Sequence, residues 1–336
     1  MNSLAPYPWQ ETLWSQLVSQ LRQDRVANTY LLCGESGLGK NEFAEAAAAL
    51  LLCENYRQGA ACGVCKSCIL LASGSQPDLL IVEPEEGSRV LKVDQIRALA
   101  SFTSKTAHSS RLKVVILRDA ESLNLSAANA LLKTLEEPPG NTVLLLTSSR
   151  PGVLLPTIRS RCQRINFRAP DYETASRWLT KSLPDHDAKQ LLIAANGCPL
   201  KALSMARDGS MEVRTKIFSG LGAMWAGEVQ PIGLVSLYRE IEILQLVTQF
   251  WQASSILIKY LLTQREDLPR EAGLGRLVDK LRLLTTEAKN DVLALLLTLN
   301  QQSLSASREL TGSTNPNAGL ILQSLVWRWY KIALAV

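Results

Sequence analysis

Apolar residues in the first half of the chain come in two alternating rhythms. Short, near-continuous apolar runs at residues 30–33, 79–82, 114–117 and 143–147, with 165–167 as a fifth, predict buried strands. Residues 42–53, 93–103 and 125–137 carry helical patterning between them. Buried strands separated by helices imply a mostly parallel five-stranded sheet with helices on both faces. Ahead of this, residues 1–27 predict a helix whose apolar face is Trp9, Leu13, Trp14, Leu17 and Leu21.

The rhythm changes at Ala169 and Pro170. Strand signals stop there. Residues 171–207 predict a group of short helices, and 211–336 predict helix almost throughout, rich in Leu and Ala. Gly-Ser-Met at 209–211 reads as a linker, and Ser-Thr-Asn-Pro-Asn at 313–317 as a turn before the last helix. The expected division is an α/β domain over 1–168, a small helical domain over 169–208 and an all-α domain over 209–336.

Composition changes this picture little. The chain has 336 residues, 46% hydrophobic and 20% charged, as in an ordinary globular protein with two or three cores. A net charge of +5 permits contact with nucleic acid without demonstrating it. The first ten residues are polar and contain Pro6, Pro8 and Trp9, so no secretory signal is expected. The apolar C-terminal stretches are broken by Gln, Arg and Lys, so no membrane span is expected. Seven cysteines, several at metal spacing, point to a reducing, cytoplasmic setting.

Residues 34–41 read Gly-Glu-Ser-Gly-Leu-Gly-Lys-Asn, placed between a predicted strand and a predicted helix. A phosphate-binding loop has Gly-x-x-x-x-Gly-Lys followed by Ser or Thr. Its backbone amides cradle phosphate, its Lys reaches the β/γ-phosphates and its hydroxyl ligates Mg²⁺. Gly34, Gly37, Gly39 and Lys40 fit a nucleotide site, whereas Asn41 is a bulkier and poorer Mg²⁺ ligand than a hydroxyl.

Cys53, Cys62, Cys65 and Cys68 fall within sixteen residues. Four thiolates so placed can surround one tetrahedral Zn²⁺, a closed site that stabilises a knuckle and catalyses nothing. An iron–sulfur cluster is the rival, but Ala72 stands where its next Cys is expected. Cys33 and Cys198 read as ordinary buried thiols.

Two further segments carry a resemblance. Residues 113–123 read Lys-Val-Val-Ile-Leu-Arg-Asp-Ala-Glu-Ser-Leu, and 129–139 read Asn-Ala-Leu-Leu-Lys-Thr-Leu-Glu-Glu-Pro-Pro. Together with Ser160-Arg161-Cys162 and the cysteine insertion after the phosphate loop, they resemble the bacterial DNA polymerase III clamp-loader family of AAA+ proteins. With its altered ATP site, the chain is similar to the non-motor members of that family. The resemblance is strong over 1–168 and only architectural beyond. It implies an α/β AAA+ P-loop domain, then a small helical lid, then an all-α collar used for oligomerisation.

The resemblance also assigns roles. An active member of the family has Asp-Glu at the end of the third strand, the Asp supporting Mg²⁺ and the Glu polarising water. Here Arg118 and Asp119 fall at those places, or Asp119 and Ala120 in the alternative alignment. Glu121 lies past the predicted strand end, a weak substitute. Leu200 stands where the lid supplies an Arg to nucleotide, with Lys201 next to it. These departures imply a subunit without ATPase activity of its own, with ATP or ADP as a structural ligand still open. Arg161 is implied to be an arginine finger acting in trans, supported by Ser160 and Cys162. The implied partners are gamma/tau-type ATPase subunits, a delta-type clamp-opening subunit, the sliding clamp and primed DNA. Two other classes stay open: an active ATPase motor that tolerates Asn41, and a zinc-dependent DNA-binding module with Arg57 and Lys66 as its nearby charges.

Overall fold

A computed structural model describes residues 5–108, 110–264, 273–311 and 316–336. The chain separates into two compact units, Met1–Asp185 with Ala195–Ala202, and His186–Ala194 with Leu203–Val336.

The first unit is α/β. In chain order it contains α1 (Glu11–Arg22), β1 (Thr29–Cys33), α2 (Lys40–Leu52), α3 (Lys66–Ala72), β2 (Leu79–Val82), α4 (Val93–Ser104), β3 (Lys113–Leu117), α5 (Leu125–Glu136), β4 (Thr142–Ser148), α6 (Pro156–Ser160), β5 (Gln163–Asn166) and α7 (Tyr172–Ser182). The five strands form one sheet in the order β2-β3-β4-β1-β5, parallel at every pairing. Every residue of β1, β3 and β4 is buried, which is why these segments read as unbroken apolar runs. β2 and β5 lie at the edges and are partly exposed. One face of the sheet packs on α2, whose Phe43, Ala44 and residues 46–52 are all buried. The other face packs around Ile96, Leu99, Ala127, Leu131 and Ile158.

Local chemistry sets the helix ends. Asn124 caps α5, its Oδ1 accepting the Ala127 N–H at 2.8 Å. Pro138 and Pro139 follow the end of α5, where an α-helix is disfavoured before proline.

The second unit is all helical: α8 (Ala188–Ala194), the end of α9 (Pro199–Arg207), α10 (Ser210–Trp225), α11 (Pro231–Tyr238), α12 (Ile243–Thr263), α13 (Leu274–Leu283), α14 (Thr286–Thr311) and α15 (Ala318–Leu334). Its core gathers Phe218, Leu221, Tyr238, Phe250, Leu257, Leu277, Leu296, Val326 and Trp329. The expected linker at 209–211 is a correction: Gly209, at φ +75°, caps α10, and Ser210 and Met211 are its first residues. A left-handed glycine gives the chain its bend in one residue, so no longer connector is needed. In the turn expected at 313–317, residues 313–315 lie outside the described residues; Asn317 accepts the Leu320 N–H at 3.2 Å and caps α15. Among the described residues, no helix is long and apolar enough to cross a membrane.

Candidate functional site

In an open parallel sheet, ligands sit at the carboxyl ends of the strands, where the strand order reverses. Here the reversal lies at β1, with β4 on one side and β5 on the other. The glycine-rich loop leaves β1 at that end and leads into α2 at Lys40. Gly34 donates its N–H to the Ser148 carbonyl at 3.3 Å. Gly37 and Gly39 sit at φ +83° and +82°, a conformation glycine adopts without steric cost.

The side chains of the loop are engaged by the protein itself. Lys40 is 7% exposed, and its Nζ donates to the Glu35 carbonyl at 2.8 Å and to Ser149 Oγ at 3.1 Å. Burial lowers its pKa below the usual lysine range, opposed by the carboxylates of Glu121 and Asp119. Asn41 Oδ1 accepts a hydrogen bond from Thr147 Oγ1 at 2.8 Å. The Thr147 hydroxyl in turn accepts the Asp119 N–H at 3.2 Å. The Asn41 amide oxygen is thereby tied to the ends of β3 and β4.

Arg118 is held by carboxylates. Its guanidinium pairs with Glu45 on α2 and, at 2.5 Å, with Glu83 just beyond β2. Asp119 remains on the loop side, its pKa raised by burial and by Glu121 nearby. Glu121 is closer to the site than its distance along the chain indicates. Residues 120–122 form a single 3-10 turn, and Glu121 Oε1 accepts the Ser149 N–H at 2.9 Å. The turn folds the carboxylate back across the end of the sheet, within electrostatic reach of Lys40.

Two segments cover the loop. From the N-terminal side, Trp9 Nε1 and Gln10 Nε2 donate to the Leu38 carbonyl at 3.0 and 2.9 Å, and Gln10 also donates to the Gly39 carbonyl at 2.9 Å. Tyr7 stacks on Trp9 at 4.7 Å, and Trp178 of α7 meets both rings edge-on. From the other side, Leu200 N–H donates to the Gly37 carbonyl at 3.1 Å, and Cys198 Sγ donates to Glu35 Oε2 at 3.7 Å. A Cβ at Gly37 would stand 2.5 Å from the Lys201 backbone nitrogen. Gly37→Ala is therefore expected to destabilise the protein by about 2–3 kcal/mol, combining left-handed strain with this collision. A shifted midpoint in urea denaturation checks it; an unchanged midpoint means that 198–201 moves away freely.

Arg161 closes α6 and is exposed, in a different part of the unit. Its NH1 donates to the Thr157 carbonyl at 3.0 Å, and its NH2 pairs with Glu136 at 2.6 Å. Ser160 Oγ donates to the Thr157 carbonyl at 3.1 Å. Cys162 is half-buried against the core beside α6, its Sγ donating to the Ile158 carbonyl at 3.1 Å, and burial pushes its pKa up to about 11. Cys33 and Cys198 are buried, as expected for packing thiols.

The four clustered cysteines converge. Cys53 ends α2 and Cys65 caps α3, and all four Sγ atoms lie within 4.8 Å of one another. Cys53–Cys65 and Cys62–Cys68 sulfurs are each 4.0 Å apart. Tetrahedral ligation at a zinc–sulfur distance of about 2.3 Å needs sulfurs separated by about 3.8 Å. Backbone amides of Cys62, Cys65 and Cys68 donate to the Cys53, Cys62 and Cys65 sulfurs at 3.2, 3.3 and 3.4 Å, while burial raises the Cys53 and Cys68 thiols. Amides of Val64 and Cys65 draw the Cys62 thiol down to about 6. The residues fit a metal ion such as zinc. Trp14 Nε1 donates to the Gly59 carbonyl at 2.9 Å and ties this knuckle to α1.

Gln10, Glu45, Glu83, Glu136, Thr147 and Ser149 complete these arrangements and are not singled out by the sequence. Each reaches its partner from another part of the fold, so no spacing marks it. Gln10 alone leaves a trace: a polar residue on the apolar face of the N-terminal helical pattern, fully buried by its carbonyl partners.

A family model described as DNA polymerase III, delta subunit, matches residues 9–171. The DNA polymerase III subunit delta-prime of Pseudomonas aeruginosa is 37% identical over 97% of this chain and 98% of its own length. The DNA polymerase III subunit tau of Salmonella typhimurium is 34% identical over 60% of this chain and 30% of its own length. Among solved structures, a DNA polymerase III gamma subunit-related protein of Thermotoga maritima aligns with TM-score 0.42 and 18% identity, covering 95% of this chain and 99% of that one.

Proposed function

Since this chain belongs to the DNA polymerase III delta-prime family of clamp-loader subunits, we propose that it is the stator of the loader and not one of its motors. It closes one side of an ATPase ring and lends Arg161 to the ATP site of a neighbouring gamma/tau-type subunit. It also positions a delta-type subunit that opens the sliding clamp for transfer to primed DNA. The proposed division of labour follows the chain: an AAA+ domain over 1–168, a lid over 169–208 and a collar over 209–336 that joins the other subunits. Its place is the cytoplasm, at replication forks.

The observation that carries this reading is the state of the phosphate loop. Lys40 is spent on Glu35 and Ser149, Asn41 on Thr147, and Arg118 on Glu45 and Glu83. Reviving turnover would require these partners to be exchanged together. Arg161, by contrast, is exposed, and an arginine's planar, permanently charged fork matches phosphate oxygens. The four cysteines hold a structural zinc, which stabilises the knuckle and leaves no open position for chemistry.

The test is ATP binding and hydrolysis by the purified chain with Mg²⁺ and primed DNA, at stoichiometric protein. No turnover is expected. Clear turnover abolished by Lys40→Ala identifies a motor instead and removes the stator reading. Binding of ATP or ADP without phosphate release keeps the stator and adds a structural nucleotide.

A further inference from the structure

Glu136 stands in an electrostatically poor position. It is the last residue of α5, where the partial negative charge of the helix end repels a carboxylate. Pro138 and Pro139 fix the chain immediately after it. The carboxylate pairs with a cation from outside α5, the Arg161 guanidinium just past α6, at 2.6 Å. Arg161 in turn is drawn back over α6 by its second bond, to the Thr157 carbonyl at 3.0 Å. The guanidinium is thus held by two groups of its own domain, and both partners stay solvent-accessible, with side chains 35% and 51% exposed.

We infer that Glu136 is a latch that parks the arginine finger on its own subunit until a neighbour's nucleotide displaces the carboxylate. The inference rests on the finger reading of Arg161. An exposed ion pair is weak, so it can be exchanged. The γ-phosphate of a bound triphosphate offers more negative charge and a bidentate match to the same guanidinium, and so competes successfully. In the resting loader the latch withholds the finger from the adjacent site for part of the time. Contacts that press the two subunits together shift the exchange toward phosphate. Glu136 touches neither nucleotide nor reacting atoms; it is a positioning residue that acts through Arg161.

Glu136→Gln keeps the side chain's size and removes its charge. In the fully assembled loader without DNA, this variant is expected to raise ATPase kcat by about 2- to 5-fold, the scale of one solvent-exposed ion pair. KM for ATP should change little, because a finger acts on the transition state. The gain should shrink as salt is raised, since salt screens the exposed pair in the parent protein. Glu136→Asp, which keeps the charge, should behave nearly as the parent. In an Arg161→Ala background, Glu136→Gln should have no effect. Denaturation midpoints of the single variants should match the parent, because both residues are at the surface.

If Arg161→Ala slows the loader while Glu136→Gln changes nothing or slows it too, the latch is wrong and the finger stands. A Glu136→Gln effect that persists in the Arg161→Ala background also overturns the latch. If Arg161→Ala leaves every rate unchanged, the finger reading fails and the latch with it.

Discussion

Arg161→Ala is expected to slow ATP hydrolysis at the adjoining motor subunit by roughly 10²–10³-fold, near the low end of what arginine fingers and single charge-stabilising donors contribute. The physical reason is charge. As the γ-phosphoryl group transfers, negative charge spreads over its oxygens, and a guanidinium brought to them from outside the nucleotide's own subunit stabilises that spread. Because Arg161 is exposed at the end of α6, its removal should leave folding within about 0.5 kcal/mol of the parent. Assembly should persist as well, since the proposed collar lies in another part of the chain. The measurement is DNA-stimulated ATPase and clamp loading by the reconstituted complex, with subunit stoichiometry checked by mass. Arg161→Lys should recover only part of the rate, because an ammonium cannot reproduce the two-pronged contact. Unchanged rates for the Ala variant in an intact complex would remove the finger assignment.

Cys65→Ser is expected to have the second largest effect. A structural zinc site in a small peptide is worth about 10–16 kcal/mol of apparent binding free energy, and that energy is also folding energy. Losing one of four thiolates forfeits much of it, so metal content should fall from about one zinc per chain to near zero. The consequence should be local. The sheet and α2 form a large core of their own, while the segment between Cys53 and α3 is short and is tied to the rest by the Trp14–Gly59 hydrogen bond and by Tyr56 and Ala61 at the edge of the core. Limited proteolysis should therefore cut between residues 54 and 65 in the variant and spare the parent. Metal analysis of protein purified without chelators decides the matter. A parent chain that carries no metal rules out the zinc assignment, and a variant that keeps its full complement means that three cysteines suffice.

How legible the site was in the sequence depends on the distance over which each contact is made. Gly34, Lys40 and Asn41 could be read directly, because a strand, a glycine-rich turn and a helix are contiguous and fix their own geometry. The cysteines were legible for the same reason: four thiols in sixteen residues need only two helix ends to bring them together. Arg118 shows the opposite case. Its register on β3 places it at the strand end, but the direction of its side chain is set by Glu45 and Glu83, which arrive from α2 and from the edge of the sheet. Glu121 reads as a weak substitute because it lies past the strand, and a single 3-10 turn brings its carboxylate to the Ser149 N–H. The aromatic residues near the C-terminus divide likewise. Trp329 is fully buried in the helical core while Trp327 is half exposed, a split that helical phase alone allows but does not assign without knowing where the neighbouring helices stand.

The sequence by itself determined the α/β and all-α halves, the glycine-rich loop between a strand and a helix, the cysteine cluster and the family, because periodicity and short-range spacing are properties of contiguous residues. The tertiary structure decided which polar and charged groups meet: Lys40 with Ser149, Asn41 with Thr147, Arg118 with two glutamates, Arg161 with Glu136. Electrostatic and hydrogen-bonding partners are chosen by distance in space, and residues separated by 25 to 109 positions become neighbours only when the sheet has been assembled.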